Sequence, residues 1–322
     1  MATVRVVRAT DIVTVLRRVA AGAIGIRCAD AAVRSTLRQW LDALRLSPPV
    51  PLWLDIRVGD PGKVPAGAPI FRQPGIAIYS GLRLEWNSAR ASATLTPDSA
   101  TASVTLSHAA VAQLDECARV FLSAVLILLL RHSGWHHMHG AMALDPQGTG
   151  WLIIGDRGAG KSTTTALLAS QGWRVGSDDI VFVAAGTAGR VTVIAARTPI
   201  ALRARAQRLF GAAGAGGTPL FRRRKVGYWP EELGSRWIDR IDPDVIAFVS
   251  AGQGTVTRAV PIPSREAAAR LVRSSAWVLL EPALAQSHLD LLGRLASQAR
   301  SFRVRLAPDL FASPARLQEL IA

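Results

Sequence analysis

Eight residues, Gly155-Asp156-Arg157-Gly158-Ala159-Gly160-Lys161-Ser162, match the spacing G-x-x-x-x-G-K-[ST] in full. Three glycines let a backbone wrap closely enough for its N–H groups to converge on phosphate oxygens. Lys161 supplies a point charge for β- and γ-phosphates, and the Ser162 hydroxyl a ligand for Mg²⁺. With Thr163 closing the set, these residues imply a site for a nucleoside triphosphate. A glycine-rich turn with an accidental lysine is the bland alternative, and the flanking elements speak against it.

Seventeen residues after Lys161 stand two adjacent carboxylates, Asp178 and Asp179, between apolar segments. Phosphoryl transfer needs one carboxylate to hold Mg²⁺ and another to orient or deprotonate an acceptor hydroxyl. Two neighbouring aspartates in a turn could do both; in other company they would read as a solvated turn. A third group is His132, His136, His137 and His139. On a strand, His137 and His139 would share one face and His136 the other. Zinc is a conceivable ligand, yet no Cys, Asp or Glu stands near enough in sequence to complete an obvious set. His139 is set apart because Gly140 follows it and a strand-turn-strand leads from there into the glycine loop.

These residues need elements to hold them. Trp151-Leu152-Ile153-Ile154 is short and unbroken, as a buried parallel strand should be, and residues 163–170 read as a helix with Gly172 at its stop. Strand, glycine loop and helix thus follow in the order the motif requires. Upstream, strands are expected over 3–7, 23–27, 52–58, 76–86, 91–95 and 102–106. Asp30 is a fair N-cap for an amphipathic helix over 31–46, and a long helix is expected over 109–131. Downstream, strands are expected over 190–196, 244–250 and 302–306, and helices over 265–273, 286–300 and 314–321. The glycine-rich stretch 211–217 has no buried strand before it and reads as a loop. The basic run Arg222-Arg223-Arg224-Lys225 is either a solvated cluster or a lid that brings positive charge to phosphates or to an acidic acceptor.

The chain has 322 residues, of which 49% are hydrophobic, enough for two domains with cores of their own. The boundary falls between a mixed α/β amino-terminal domain, 1–133, and a carboxy-terminal P-loop domain, 134–322. A formal charge of +15 suggests an anionic partner. Only three lysines contribute to it, and the arginines are spread along the chain, which weighs against nucleic acid. Cys28 and Cys117 form no metal or redox pattern. The amino terminus lacks the apolar core of a signal peptide and the run 120–130 is too short to span a bilayer, so a cytoplasmic protein is expected.

Together, GDRGAGKS, the SDD that follows it and the HG that precedes it resemble the HPr kinase/phosphorylase family and its HPr-kinase-like relatives. Some of those relatives modify ribosomally made peptides, including lasso-peptide precursors. The resemblance covers 135–185 well, the next hundred residues loosely and the first hundred hardly at all. It implies an α/β fold with an HPr-kinase-like carboxy-terminal domain, and phosphoryl transfer from ATP to a serine hydroxyl of a peptide or protein. It further implies His139 beside the phosphates, Asp178 as base, and Asp179 with Ser162 on Mg²⁺, although the residues alone leave the two aspartates interchangeable. Thr163 stands where those enzymes often carry Glu, and their later Glu-Arg-Gly signature is missing, so HPr as acceptor and phosphorolysis are not implied. A kinase of small hydroxyl compounds and a non-catalytic ATP-sensing module are the alternatives. The sequence allows a homo-oligomer without fixing one.

Overall fold

The computed structural model describes residues 23–87, 90–207, 217–220, 225–275 and 277–321. The strand expected over 3–7, most of the glycine-rich stretch and Arg222 to Arg224 lie outside them. The chain divides into two units, Met1–Ser133 and Gly134–Ala322.

In the first unit the strands are β1 (Ile24–Cys28), β2 (Leu52–Val58), β3 (Phe71–Gln73), β4 (Ile76–Tyr79), β5 (Arg83–Trp86), β6 (Ala91–Thr96) and β7 (Thr101–Leu106). They form one sheet in the order β1-β2-β7-β6-β5-β4-β3. β2 runs parallel to β1 and β7, and the other pairs are antiparallel. Helix α1 (Ala31–Leu44) starts where Asp30 accepts from the Val33 amide at 3.0 Å. It buries Val33, Leu37, Leu41 and Leu44, the single stripe its periodicity dictates, and stops at Arg45 in the left-handed region, just short of the expected end at 46.

Two expectations need correction here. The strand expected over 76–86 is a hairpin, because Gly81 and Leu82 take φ of 70° and 54° and turn the chain between β4 and β5. The single helix expected over 109–131 is interrupted. Short helices His108–Val111 and Leu114–Cys117 are separated around Gln113, whose φ of −127° and ψ of 42° leave the helical region. A π-helical turn, Ala118–Leu122, then leads into α2 (Ser123–His132). Ser123 Oγ donates back to the Ala118 carbonyl at 3.0 Å across that wide turn. No helix among the described residues is long and apolar enough to cross a membrane.

The second unit is built on β8 (His136–Leu144), β9 (Gly150–Ile154), β10 (Arg174–Val175), β11 (Ile180–Ala185), β12 (Val191–Ala195), β13 (Ile200–Leu202), β14 (Thr218–Leu220), β15 (Lys225–Tyr228), β16 (Arg240–Ile241), β17 (Val245–Ala251), β18 (Arg258–Ile262) and β19 (Arg300–Leu306). Its longer helices are α3 (Lys161–Ser170), α4 (Ser264–Arg273) and α5 (Pro282–Gln298). The last expected helix is reduced to Arg316–Glu319. The main sheet runs β16-β12-β11-β8-β9-β17-β19-β18, with β10 also on β8, while β13-β15-β14 form a small sheet of their own. β9, β17 and β19 are parallel neighbours, as the unbroken apolar run of β9 requires. That run feeds both faces. Trp151 and Ile153 pack with Leu167, Leu168 and Trp173, and Leu152 and Ile154 with Leu271, Leu291 and Leu295. The protein is thus α/β, with mixed parallel and antiparallel sheets and helices on both sides of the larger one.

Candidate active site

β9 ends at Ile154 and α3 begins at Lys161, so the glycine loop spans the gap between a buried strand and a helix N-terminus. At Gly155 the loop passes so near β17 that a Cβ would lie 2.5 Å from the Val249 carbonyl oxygen. Gly158 and Gly160 take φ of 87° and 103°, values that turn successive amides to one side and that L side chains rarely adopt. Asp156, Arg157 and Gly158 are exposed at the tip, with Ala159, Ser162 and Thr163 half-buried beneath it. A helix N-terminus preceded by a loop with two left-handed glycines can hold an anion, so the residues present fit a phosphate chain.

Lys161 is only 6% exposed, and its ammonium donates to the Gly155 carbonyl and, at 3.5 Å, to that of Asp156. Burial lowers its pKa, and the negative charges of Asp179, Asp178 and Asp156 work in the other direction. The lysine and both aspartates are therefore near enough to feel one another's charge.

The carboxylates sit on the turn between β10 and β11, and the turn has its own support. Ser177, wholly buried, accepts from the amides of Asp179 (3.1 Å) and Ile180 (2.8 Å) and bonds Thr198 Oγ1 at 3.0 Å. The Met142 amide donates to the Ser177 carbonyl at 3.1 Å, which ties the turn to β8. Asp178 is 3% exposed; its Oδ2 accepts from the Ala201 amide at 3.3 Å, and the Ser162 hydroxyl bonds to its carboxyl group. Burial and the neighbouring charge of Asp179 raise its pKa, with Ser162, Ala201 and Lys225 pulling it back. Asp179 points the other way. Its side chain is 57% exposed, and its Oδ1 lies 2.6 Å from His139 Nδ1. Burial opposes its charge, but the His139 hydrogen bond, with the charges of His139, His137 and Lys225, keeps its pKa low.

The four histidines part company. His132 ends α2 in the first unit. His136 turns to the opposite face of β8 from its neighbour and stacks on His288, ring centroids 4.5 Å apart. His137 lies edge-on to Phe182 and Trp277, and burial drives its pKa down to about 4. Only His139 reaches the carboxylates. Among the described residues no three His, Cys, Asp or Glu side chains gather as a metal cage. A magnesium ion held by one or two carboxylates and by phosphates needs no such cage.

Sequence reasoning missed Ser177, Thr198 and the Ala201 amide, and had Lys225 only as one member of the basic run. Ser177 beside two aspartates carries at most a turn signal, and the others approach only through the fold.

No family model matches the chain, and no curated protein matches it. Among solved structures, the Hpr(Ser) kinase/phosphatase from Coxiella burnetii is similar at a TM-score of 0.33 and 12% identity, over 58% of this chain and 88% of that one. A likeness so slight carries no argument about the activity of this chain.

Proposed function

We propose that this chain is an ATP-dependent phosphotransferase that moves the γ-phosphoryl group to a serine hydroxyl of a peptide or protein. The observation that carries the reading is the buried P-loop lysine on its own loop, with the Ser162 hydroxyl on the buried Asp178 and the exposed Asp179 next to it on His139. A module that only sensed ATP would have no use for a second carboxylate beside the phosphate loop.

The amides of residues 155–163 and Lys161 would hold the phosphate chain, with Ser162 and Asp179 on Mg²⁺. ATP supplies the phosphoryl group, and the metal offsets its charge. The chain's own residues do the rest. Environments that push the pKa values of two carboxylates apart divide their labour. Asp179, kept ionised beside His139, suits the cation. Asp178, whose pKa is raised, suits proton uptake at neutral pH. The acceptor oxygen would bond to phosphorus as the bond to the ADP oxygen breaks, and the hydroxyl proton would pass to the Asp178 carboxylate. His139 holds Asp179 in place from the exposed side, where an acceptor arrives from solvent. The resemblance of the motifs favours a ribosomally made, lasso-type peptide precursor as that acceptor.

The test is transfer of label from γ-labelled ATP, with Mg²⁺, into a pooled library of serine peptides that includes precursor tails. Asp178→Asn and Asp179→Asn run beside the wild type. Labelled peptides from wild type alone would support the proposal. Added Mg²⁺ should restore part of the Asp179→Asn activity and none of the Asp178→Asn activity. Label found only in small hydroxyl compounds would replace the peptide acceptor, and ATP binding without any transfer would leave a sensor.

A further inference from the structure

The basic run picked out in the sequence ends at Lys225, the one member of it within the described residues, and Lys225 opens β15. β15 pairs with β13 in the register Ile200↔Tyr228, Ala201↔Gly227 and Leu202↔Val226. β13 is an edge strand of the small sheet, which leaves alternate amides free of β15. Asp178 takes up that amide at 3.3 Å, and three residues earlier Thr198 bonds Ser177 at 3.0 Å. The segment leading into β13 is therefore fastened to the aspartate turn at two points. Residues two apart on a strand share a face, which puts Lys225 on the face of Gly227 and of Ala201 opposite it. Its charge bears on Asp178, Asp179 and Lys161 together.

We propose that Lys225 is a second cation of the site, carried in by the small sheet to neutralise charge on the phosphoryl group during transfer. The inference rests on the phosphotransferase reading above and adds a residue to it. Lys161 is bound to the carbonyls of its own loop, where it serves the phosphates already in place. Lys225 comes in on β15, whose partner strand β13 gives its Ala201 amide to Asp178, so it enters beside the carboxylate that would receive the acceptor's proton. A cation there counts most when charge spreads over the phosphoryl oxygens, so it acts on the rate more than on the affinity for ATP.

Lys225→Met and Lys225→Arg are compared with wild type for transfer to the serine-peptide library and for ATP affinity by calorimetry. Lys225→Met should lose about 10²–10³-fold in kcat, with ATP affinity held within about threefold, and Lys225→Arg should recover part of the loss. Transfer by Lys225→Met at the wild-type rate would overturn the proposal. A defect confined to KM for the peptide would overturn it too, in favour of a docking role. Failure of the wild type itself to transfer would instead remove the phosphotransferase reading, and this proposal with it.

Discussion

Ser177→Ala is the substitution whose effect the structure defines most closely. The serine hydroxyl is wholly buried and serves three partners, the amides of Asp179 and Ile180 and the hydroxyl of Thr198. Alanine leaves two backbone donors and one hydroxyl without that partner. A sealed, unsatisfied donor costs about 1–3 kcal/mol, but Asp179 is open to solvent and water can relieve its amide. The net expectation is about 2 kcal/mol, borne by the turn and by the Thr198 strap. Amide hydrogen exchange reads this locally: protection at Asp179 and Ile180 should fall about 30-fold, while β9 and α3 keep theirs. ATP affinity should persist because the glycine loop is untouched, and transfer should drop because both carboxylates lose their seat. Unchanged protection at the two amides would refute the reasoning. So would a loss spread evenly over the sheet, since that would make Ser177 an ordinary core residue.

Lys161→Met should weaken ATP binding by about tenfold or more and abolish transfer, measured by calorimetry and label transfer, since it removes the charge at the mouth of the helix. Asp178→Asn should raise thermal stability while ending catalysis. The raised pKa means that the ionised carboxylate costs stability above its ordinary range, and the amide keeps an acceptor for Ala201 without that cost. Unfolding followed against pH should show His137. Its folded pKa of about 4 lies below the usual 6.5, so stability should fall as pH drops between those values and level off below them. Asp179 adds a further loss only at lower pH, as its depressed folded pKa is crossed. Gly160→Ala should cost about 1–2 kcal/mol from its φ of 103° and reduce ATP affinity, which calorimetry would detect.

The local parts of the site were legible because their signals are local. A glycine pattern, an unbroken apolar strand and a helix stop all lie within about twenty residues of one another. The two aspartates and His139 followed from nearness to that pattern. What stayed hidden arrives by pairing across the chain. Ala201 contributes a backbone amide that no side chain announces, and the basic run stood out in the sequence without the three short strands, separated along the chain, that carry its Lys225. In the first unit the apolar spacing of residues 109–131 continues through Gln113 and the wide turn after Cys117. Periodicity registers the buried side and not the backbone break beneath it. The hairpin at Gly81 was lost for a similar reason, since apolar residues on both arms ran together as one strand.

β8 has a consequence for how such sites can drift over evolutionary time. Its consecutive residues His139 and Gly140 are opposite Ile180, just after the aspartates, and Ile154, just before the glycine loop. One peptide unit of a central strand therefore gauges the separation of the two halves of the chemistry. The seventeen-residue interval from Lys161 to Asp178 does not set it. That interval consists of α3, a return loop and the short β10 held on β8, and the helix and loop could grow or shrink while the gauge stays fixed. An insertion between His139 and Gly140, by contrast, would slide every pairing on one side by a residue and exchange the faces of the strand. Descendants of this chain could thus lose the recognisable spacing of their motifs long before they lost the geometry.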